Sequence, residues 1–279
     1  MSCIAAIQMC SSDNVDDNLK VVAERIHVAA AKGAKIAVLP EMFAIIGKNP
    51  LDALLAKEKY GDGKIQNFIS TLSAKLNIWI VAGTIPIACS GSNKISAACI
   101  VYDGNGNAVA RYNKIHLFDA IISEEESYKE SDSTESGLNI VVIDTPFGKL
   151  GLAICYDIRF PALFTALRNH GAEIIAIPAA FTVKTGEAHW KILLQARAVE
   201  NFCYVVGACQ GGTHVGGRKT YGHSMIIEPW GAVMQEVTAV ENPIIYAEID
   251  LEKLYKIRKL MPVHEHQKIK LDLSVFNIK

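Results

Sequence analysis

Residues 29–43 read AAAKGAKIAVLPEMF, and residues 167–181 read LRNHGAEIIAIPAAF, which is the same pattern about half a chain length later. Each copy combines the end of a helix, a glycine, a four-residue apolar strand, a proline and a final phenylalanine. Gly33 and Gly171 are typical of the residue that follows a helix C-terminus. The repeat predicts two similar α/β halves, related by a pseudo-two-fold axis, with the ends of both strands facing a common site.

The two copies differ directly after the proline, where the first has Glu41 and the second has Ala179. Parallel α/β sheets carry their chemistry at the carboxyl ends of strands, so Glu41 is a candidate functional residue. Lys114 is a second candidate, because it follows the strand predicted after the hairpin turn at 104–106. A lone charge is more often a solvated loop residue, and this alternative applies to both side chains.

Cys155 lies in the stretch GLAICYDIRFP, residues 151–161, at the end of a short apolar run. The runs at 141–143 and 150–154 predict a β-hairpin that leads into a sharp corner, and 162–169 predicts a helix. A cysteine at such a corner is expected to be partly exposed and near a helix N-terminus, which both favour the nucleophilic thiolate. The alternative is a small core residue, because free cysteine is among the most buried residue types.

The rest of the chain predicts a single domain over 1–279, since no stretch rich in proline or serine divides it. The core is expected to end at about residue 262, with a tail at 263–279. Helices are predicted over 18–31, 65–76, 189–201 and 251–260, a strand over 78–83 and a hairpin over 224–237.

Composition excludes several functional classes. Half of the 279 residues are hydrophobic, a fifth are charged, and the formal net charge is −1, which gives no general electrostatic case for binding nucleic acid or an anionic membrane. The longest apolar stretches, such as 174–181, are far shorter than the ~20 residues needed to span a bilayer. The N-terminal residues lack a basic region and predict a first strand, not a signal peptide.

The seven cysteines are scattered, and none forms a Cys-x-x-Cys pair. This pattern favours a reducing cytoplasm over a disulfide framework or a zinc site. Cys99, Cys203 and Cys209 lie in apolar runs and are predicted to belong to the core. The segment His264-Glu265-His266 is too short for a zinc site, so we expect no metal and no cofactor.

Three segments together, LPE at 39–41, YNKIHLF at 112–118 and ICYD at 154–157, resemble the Glu–Lys–Cys triad segments of the nitrilase, or carbon–nitrogen hydrolase, superfamily in order and spacing. The resemblance extends from the first strand to about residue 262. Further segments are similar to its Nit-type amidase branch: AF at 180–181, TG at 185–186, AHW at 188–190, RAVEN at 197–201, YGHS at 221–224 and PWG at 229–231. The resemblance implies an α/β fold, a four-layer αββα sandwich of the nitrilase type.

The resemblance also implies the roles of the site residues. Cys155 would be the nucleophile and Glu41 the general base, with Glu130 as a supporting carboxylate. Lys114 and the backbone N–H of Tyr156 would hold the tetrahedral oxyanion. The acyl group would then form a thioester that water hydrolyses to a carboxylic acid.

Substrate contacts are expected from residues near the same strand ends. Arg159 follows the nucleophile by four residues and would hold a substrate carboxylate, the alternative being an internal ion pair with a nearby acid. Thr185 offers a hydroxyl and Phe181 an apolar wall, although an aromatic core position is nearly as good a reading of Phe181. His116, His189 and His223 are interpreted as hydrogen-bonded structural residues.

Two segments are less regular. The glycine-rich stretch at 211–219 does not have the spacing of a phosphate-binding loop and is predicted to be a mobile surface loop. It carries Arg218 and Lys219, which are further candidates for binding a substrate carboxylate. At 120–127 and at Ser136-Gly137 the chain lacks the Pro-Gly turns of the amidase branch. The resemblance therefore does not predict the shape of the loop that borders the pocket.

The expected function is therefore hydrolysis of a small amide, against the alternative of a binding protein that has lost the chemistry. The branch implies the amide of a 2-oxo acid. Deaminated glutathione, giving 2-oxoglutarate and cysteinylglycine, is the first candidate, and omega-amidase action on 2-oxoglutaramate or 2-oxosuccinamate is the second. Because relatives associate and the chain has an apolar composition with a tail after residue 262, a homodimer or larger homo-oligomer is expected, with the tail at the interface.

Overall fold

Two six-stranded sheets carry the fold. The computed structural model describes residues 2–49, 51–124, 126–238, 243–269 and 277–278. The strands are β1 (Ser2–Ile7), β2 (Ile36–Val38), β3 (Trp79–Ala88), β4 (Ile95–Tyr102), β5 (Ala108–Asn113), β6 (Asp119–Ile121), β7 (Ser127–Lys129), β8 (Asn139–Ile140), β9 (Val142–Thr145), β10 (Gly148–Leu152), β11 (Ile174–Ala179), β12 (Tyr204–Cys209), β13 (Gly211–Thr213), β14 (Lys219–Tyr221), β15 (Met225–Ile227), β16 (Val233–Glu236), β17 (Ile244–Ile249) and β18 (Asn277–Ile278).

Helices connect and cover these strands. They are α1 (Val15–Ala31), α2 (Asp52–Leu55), α3 (Lys64–Leu76), α4 (Pro161–Asn169), α5 (Val183–Thr185), α6 (Lys191–Asn201), α7 (Leu251–Leu260) and α8 (Val263–His266). Short 3₁₀ turns lie at Glu130–Asp132 and Cys155–Arg159, and a π-helical turn lies at Gly186–Trp190. None of the helices in the described ranges is both long and apolar enough to cross a membrane.

The two sheets have the same order of parallel and antiparallel pairings. The first has the order β17-β1-β2-β3-β4-β5 and the second has the order β9-β10-β11-β12-β15-β16. From left to right, both show one antiparallel, two parallel and two antiparallel pairings. The registers also correspond, because Ile4 lies opposite Ile36 in the first sheet and Leu150 lies opposite Ile174 in the second. The two-half architecture predicted from the repeated pattern is confirmed.

The sheets pack face to face between two helical layers. Alternate residues of the first sheet point outward against α1 and α3, in an apolar cluster that includes Ile7, Leu39, Val22, Ile26 and Ile69. The other residues point inward against the second sheet, and this cluster continues to α4 and α6; it includes Ile4, Val38, Leu152, Val205, Phe164 and Leu194. This is the four-layer αββα sandwich that the resemblance implied.

Most predicted elements form, with differences that have local causes. Helix α7 has the predicted bounds, and the helix predicted from 189 begins with the π-helical turn before α6. The sequence predicted that the strand would end before Pro178, but strand β11 includes this proline and continues to Ala179. The proline is tolerated because β10 ends at Leu152, opposite Ala176, so no neighbouring strand needs an N–H from Pro178.

The glycine-rich stretch is also more regular than predicted. Instead of a loop, it forms the hairpin of β13 and β14, which lies beside the ends of the main strands. His214 in this hairpin is buried, with ring nitrogens 2.8 Å from the Ser11 carbonyl oxygen and 2.7 Å from Thr220 Oγ1. The tail at 263–279 was predicted to lie at an interface. Its residues 270–276 and 279 lie outside the described residues.

Candidate active site

Three strand ends meet at one edge of the sandwich. Glu41 follows β2, Lys114 directly follows β5, and Cys155 begins the 3₁₀ turn after β10. Lys114 Nζ lies 2.8 Å from Glu41 Oε1 and 2.8 Å from Glu130 Oε2. Lys114 is 2% exposed and Glu41 is 5% exposed, so the alternative that these are solvated loop charges is wrong.

A cavity of about 320 Å³ opens at this edge. The residues given catalytic or substrate-binding roles from the sequence line it: Glu41, Lys114, Glu130, Cys155, Tyr156, Arg159, Phe181 and Thr185. Of the two further candidates in the glycine-rich stretch, Arg218 lines the cavity and Lys219 does not. A cavity that is largely apolar and has a few convergent charged groups is typical of a small-molecule site.

The charge on Lys114 is held in place by its neighbours. Burial alone would lower the pKa of this ammonium, but the carboxylates of Glu130 and Glu41 outweigh burial and raise the pKa well above its ordinary value. Glu130 Oε2 also accepts the backbone N–H of Phe118 at 2.7 Å, which fixes the carboxylate beside the ammonium. Lys114 is therefore a permanent cation here and is not available as a base.

Cys155 differs from its expected state. The residue is only 7% exposed, so the predicted partial exposure is wrong. Burial and the Glu41 carboxylate raise the pKa of the thiol well above its ordinary value, while Lys114 and the Ala180 backbone N–H oppose this shift in part. Burial and Glu41 thus favour the thiol over the thiolate that the corner position was expected to favour, which is consistent with the expected role of Glu41 as a base.

The backbone at Cys155 is strained. Its φ of 46° lies in the left-handed region, which L residues with side chains rarely adopt. The conformation turns the side chain inward from the strand end to the cavity, which explains both its burial and its place in the cavity wall.

Asp157 holds this corner together, and the sequence analysis did not identify it. Its fully buried carboxylate accepts the Ile154 N–H at 2.8 Å and the Tyr112 hydroxyl at 2.7 Å. The other oxygen accepts the His116 N–H at 3.0 Å and lies 2.7 Å from the His116 ring Nδ1. Asp157 thus joins the nucleophile corner to the segment that carries Lys114. An acid two residues after the cysteine in ICYD was the signal for it.

The corner at Glu41 is held in a similar way. The Gln210 side chain donates to the Glu41 carbonyl oxygen at 3.0 Å and to Ser11 Oγ at 2.8 Å. Met42, with a φ of 56°, donates its N–H to Thr84 Oγ1 at 2.7 Å. A Cβ at Gly83 would lie 1.9 Å from the Pro40 carbonyl oxygen, so the close approach of β3 to this corner requires glycine.

Arg159 reaches the cavity without a counter-charge. Its Nη1 donates to His189 Nδ1 at 3.2 Å, and its guanidinium lies 5.8 Å and 5.4 Å from the ring centroids of Tyr156 and Phe181. No carboxylate in the described ranges forms an ion pair with it, so the internal ion pair is not found there.

Phe181 and Thr185 have mixed surroundings. Phe181 is both a core residue and a cavity wall, because it packs on Trp190 with ring centroids 4.8 Å apart and also faces the cavity. The Thr185 hydroxyl lies 2.8 Å from Thr182 Oγ1, so it already has a partner inside the protein.

His223, His116 and three of the cysteines have structural surroundings. His223 Nδ1 lies 2.9 Å from Glu236 Oε1, and His116 stacks on Phe160 with ring centroids 3.6 Å apart. Cys99, Cys203 and Cys209 are fully buried, as predicted: burial raises the pKa of Cys203 to about 11 and of Cys209 to about 12.

Comparison with known proteins shows which family the chain belongs to. The family model described as carbon–nitrogen hydrolase matches residues 3–259. The deaminated glutathione amidase of Yersinia enterocolitica is 39% identical over 268 residues, which cover 95% of this chain and 92% of that protein. The deaminated glutathione amidase of Homo sapiens is 39% identical over 270 residues, which cover 95% of this chain and 82% of that protein.

Solved structures agree with these sequence relatives. The NitFhit protein of C. elegans superposes with a TM-score of 0.88 at 37% identity, covering 96% of this chain and 65% of that longer chain. Nit3 of Saccharomyces cerevisiae, a member of branch 10 of the nitrilase superfamily, superposes with a TM-score of 0.85 at 30% identity, covering 96% and 97% of the two chains.

Proposed function

The chain belongs to the carbon–nitrogen hydrolase family, and from this premise we propose that it hydrolyses an amide through a thioester on Cys155. The observation that carries the proposal is the contact of Lys114 Nζ with both Glu41 and Glu130, at 2.8 Å each, in the wall of the cavity that Cys155 lines. A cation, a carboxylate and a thiol in one cavity are the groups that amide hydrolysis needs.

In the first step, Glu41 accepts the thiol proton while the sulfur of Cys155 attacks the amide carbonyl carbon. The raised pKa of the thiol supports this assignment, because attack at neutral pH then depends on a neighbouring base. The oxygen of the tetrahedral intermediate is negative, and the Lys114 ammonium and the Tyr156 backbone N–H stabilise it. Glu130 keeps Lys114 charged and oriented.

In the second step, Glu41 gives its proton to the amide nitrogen, the carbon–nitrogen bond breaks, and the amine leaves. The acyl group remains on sulfur as a thioester. Water then attacks the thioester carbon and gives its proton to Glu41, and that proton returns to the sulfur as the carboxylic acid is released. Each half-reaction uses the same base and oxyanion donors, and neither requires a metal or a cofactor.

The proposed substrate is deaminated glutathione, which yields 2-oxoglutarate and cysteinylglycine. The names of relatives that match 95% of the chain support this choice. The unpaired guanidinium of Arg159 in the cavity supports an acyl group with a carboxylate, since a planar fork binds a carboxylate in two places.

The test is to incubate the purified protein with deaminated glutathione and to measure both products over time. The expected result is equal release of 2-oxoglutarate and cysteinylglycine, with none from Cys155→Ala. The same assay with 2-oxoglutaramate measures omega-amidase action through release of ammonia. Activity on neither amide, with the fold intact by circular dichroism, would refute the proposal and favour a binding protein.

A further inference from the structure

Arg218 is a second cation in the cavity without a counter-charge. It lies between β13 and β14, in the glycine-rich hairpin. Its Nη2 donates to the Ala180 carbonyl oxygen at 3.2 Å, and its Nη1 reaches only the thioether sulfur of Met42, at 3.6 Å. Its Nε is buried and has no partner. A guanidinium has five N–H donors, so most of the hydrogen-bonding capacity of Arg218 is unused.

Two other arginines have stronger partners within the protein than Arg218 has. Arg197 is paired with Glu200 at 2.6 Å and donates to the Ile158 carbonyl oxygen at 2.8 Å. Arg258 donates to the carbonyl oxygens of Phe202 and Ala172. Arg218 instead lies over the Tyr128 ring, 5.2 Å from its centroid, and forms no ion pair with any carboxylate of the described ranges. A half-buried cation without an acid is suited to an anionic ligand.

The two arginines without a counter-charge both border the 180–181 segment, through Phe181 and the Ala180 carbonyl oxygen, but their other contacts differ. Arg159 lies over the ring of Tyr156, whose backbone N–H is the proposed oxyanion donor. Arg218 contacts Met42, which directly follows Glu41, the proposed donor of a proton to the departing nitrogen. Arg218 is therefore the arginine whose contacts lie beside the proposed proton donor to the departing nitrogen.

The cavity has room for a large amine on the Arg218 side. Its walls there come from the segment after Glu41 and from the tip of the hairpin: Ile45, Ile46, Lys48, Asn49, Val215 and Gly216. The tip touches that segment closely, because a Cβ at Gly216 would lie 2.9 Å from Lys48 Cα. Ammonia, the leaving group of a primary amide, would occupy almost none of this space.

We propose that Arg218 binds a carboxylate of the leaving group, so that the chain selects amides whose amine part is itself an acid, such as a dipeptide, over primary amides. The inference rests on the proposed function, because it uses the same bond cleavage at Cys155. Arg159 binds the carboxylate of the acyl group and Arg218 binds that of the amine. Each end of the substrate thus has its own cation. The cavity selects the leaving group by size, and Arg218 selects it by charge.

The test compares two amides that share an acyl group. Deaminated glutathione releases a dipeptide with a free carboxylate, whereas 2-oxoglutaramate releases ammonia. In Arg218→Gln, we expect kcat/KM to fall about 10- to 150-fold for deaminated glutathione, as for the loss of a charge-assisted hydrogen bond, and by less than about 3-fold for 2-oxoglutaramate. Arg159→Gln should weaken both reactions.

Two controls separate the possible outcomes. Lys253→Gln removes an exposed cation that pairs with Glu228 outside the cavity, and both reactions should stay unchanged. Cysteinylglycine should inhibit the wild-type protein as a product and should inhibit Arg218→Gln much more weakly, which is a binding readout that does not depend on turnover.

The outcomes also separate this inference from the proposed function. If the wild-type protein hydrolyses neither amide, the proposed function fails. If it hydrolyses both and Arg218→Gln slows both equally, or if cysteinylglycine inhibits the variant as strongly as the wild-type protein, the assignment of Arg218 is overturned while the proposed function stands. A melting curve for each variant establishes that the fold is retained.

Discussion

In the first half, strand β2 leads to the corner that carries Glu41, while in the second half the equivalent strand β11 carries Ala179 at the matching position. At the preceding strands, β1 and β10, it is the second half that carries the reactive residue. By the strand registers, the place that Cys155 occupies after β10 is occupied after β1 by Met9, which is buried and does not line the cavity. One topology, used twice, thus supplies the proposed base from one half and the proposed nucleophile from the other.

Each corner is also held by a side chain from the opposite half. Gln210, after β12, donates to the Glu41 carbonyl oxygen. Tyr112 and His116, in and after β5, bind the carboxylate of Asp157 beside the nucleophile. Neither half contains a complete set of reacting groups. The pair of Glu41 and Cys155 therefore forms only when the two halves pack against each other.

The largest expected effect is at the nucleophile position. Cys155→Ser should lower kcat by at least about 1000-fold, because the hydroxyl is far less acidic than the thiol. The matched control is Met9→Leu, which keeps a similar volume in the equivalent position and should retain full activity with a destabilisation of less than about 1.5 kcal/mol. Steady-state kinetics and thermal unfolding measure both. A comparable loss of activity in Met9→Leu would contradict the division of labour between the halves.

The next effect concerns the cation from the first half. Lys114→Met should reduce kcat by about 100- to 1000-fold through loss of an oxyanion donor. It also leaves Glu41 and Glu130 without a positive partner, so the variant should unfold at a lower temperature at neutral pH and recover stability on mild acidification. Lys149→Met removes an exposed pair with Asp144 in the second half and serves as the control. Unchanged kcat in a folded Lys114→Met protein would remove Lys114 from the mechanism.

A smaller effect is expected where the halves hold each other. Asp157→Asn disturbs the strained corner and should lower kcat by about 100-fold with a smaller change in KM, as for a misplaced reacting group. Gln210→Ala removes a neutral hydrogen bond at the Glu41 corner and should lower kcat by about 10-fold. The rate of iodoacetamide labelling at Cys155, mapped by mass spectrometry, should fall in Asp157→Asn. A lower melting temperature with unchanged kcat and labelling would make Asp157 merely structural.

Alkaline pH tests the buried thiols of the two halves. The pKa of Cys99 in the first half and of Cys209 in the second is raised by burial. In the unfolded chain these thiols lose their protons above about pH 8.5, while in the folded chain they keep them, so stability falls as pH rises. Each thiol contributes about 1.4 kcal/mol per pH unit.

Cys99→Ala and Cys209→Ala should each reduce that slope by about one proton between pH 9 and pH 11. Denaturant unfolding at several pH values measures it. Equal reductions would show that both halves exclude water alike, and a slope that stays unchanged in either variant would contradict the burial of that thiol.

The smallest effect on activity is expected at the outer surface. In the second half, Ile192 and Val199 on α6 and the nearby Trp230 are 65%, 44% and 57% exposed, whereas the outer face of α1 in the first half exposes Val28. We expect a homodimer or larger homo-oligomer that covers this patch of the second half. Ile192→Glu should shift the mass in light scattering towards the 30.4 kDa of one chain. A wild-type protein that is monomeric at micromolar concentration would contradict the expectation.

The architecture could be predicted from the sequence because its signals are local. A glycine after a helix and a short apolar run before a proline occur twice, and each depends only on neighbouring residues. The convergence of Glu41, Lys114 and Cys155 was implied by the resemblance in the order and spacing of their three segments.

The ionisation of Cys155 could not be predicted in this way. The apolar run followed by polar residues indicated an exposed corner, but the burial of Cys155 depends on the backbone turn at this residue. The pKa of its thiol depends on burial and on Glu41, which comes from the other half. The glycine-rich hairpin was missed for a similar reason. Its regular structure depends on contacts of His214 with Ser11, about two hundred residues earlier in the chain, and no local pattern records such a contact.

Strand β17, which completes the first sheet, has a consequence for synthesis. It pairs with β1 from Ser2 opposite Ile249 to Ile7 opposite Ile244, so β1 is synthesised more than two hundred residues before its partner strand. At 5–20 residues per second, this delay is roughly 10 to 50 seconds. During that time one edge of β1 has unsatisfied backbone groups, and an open edge recruits strands from other nascent chains. The edge of β1 is therefore expected to need protection from intermolecular pairing until residues 244–249 have been made.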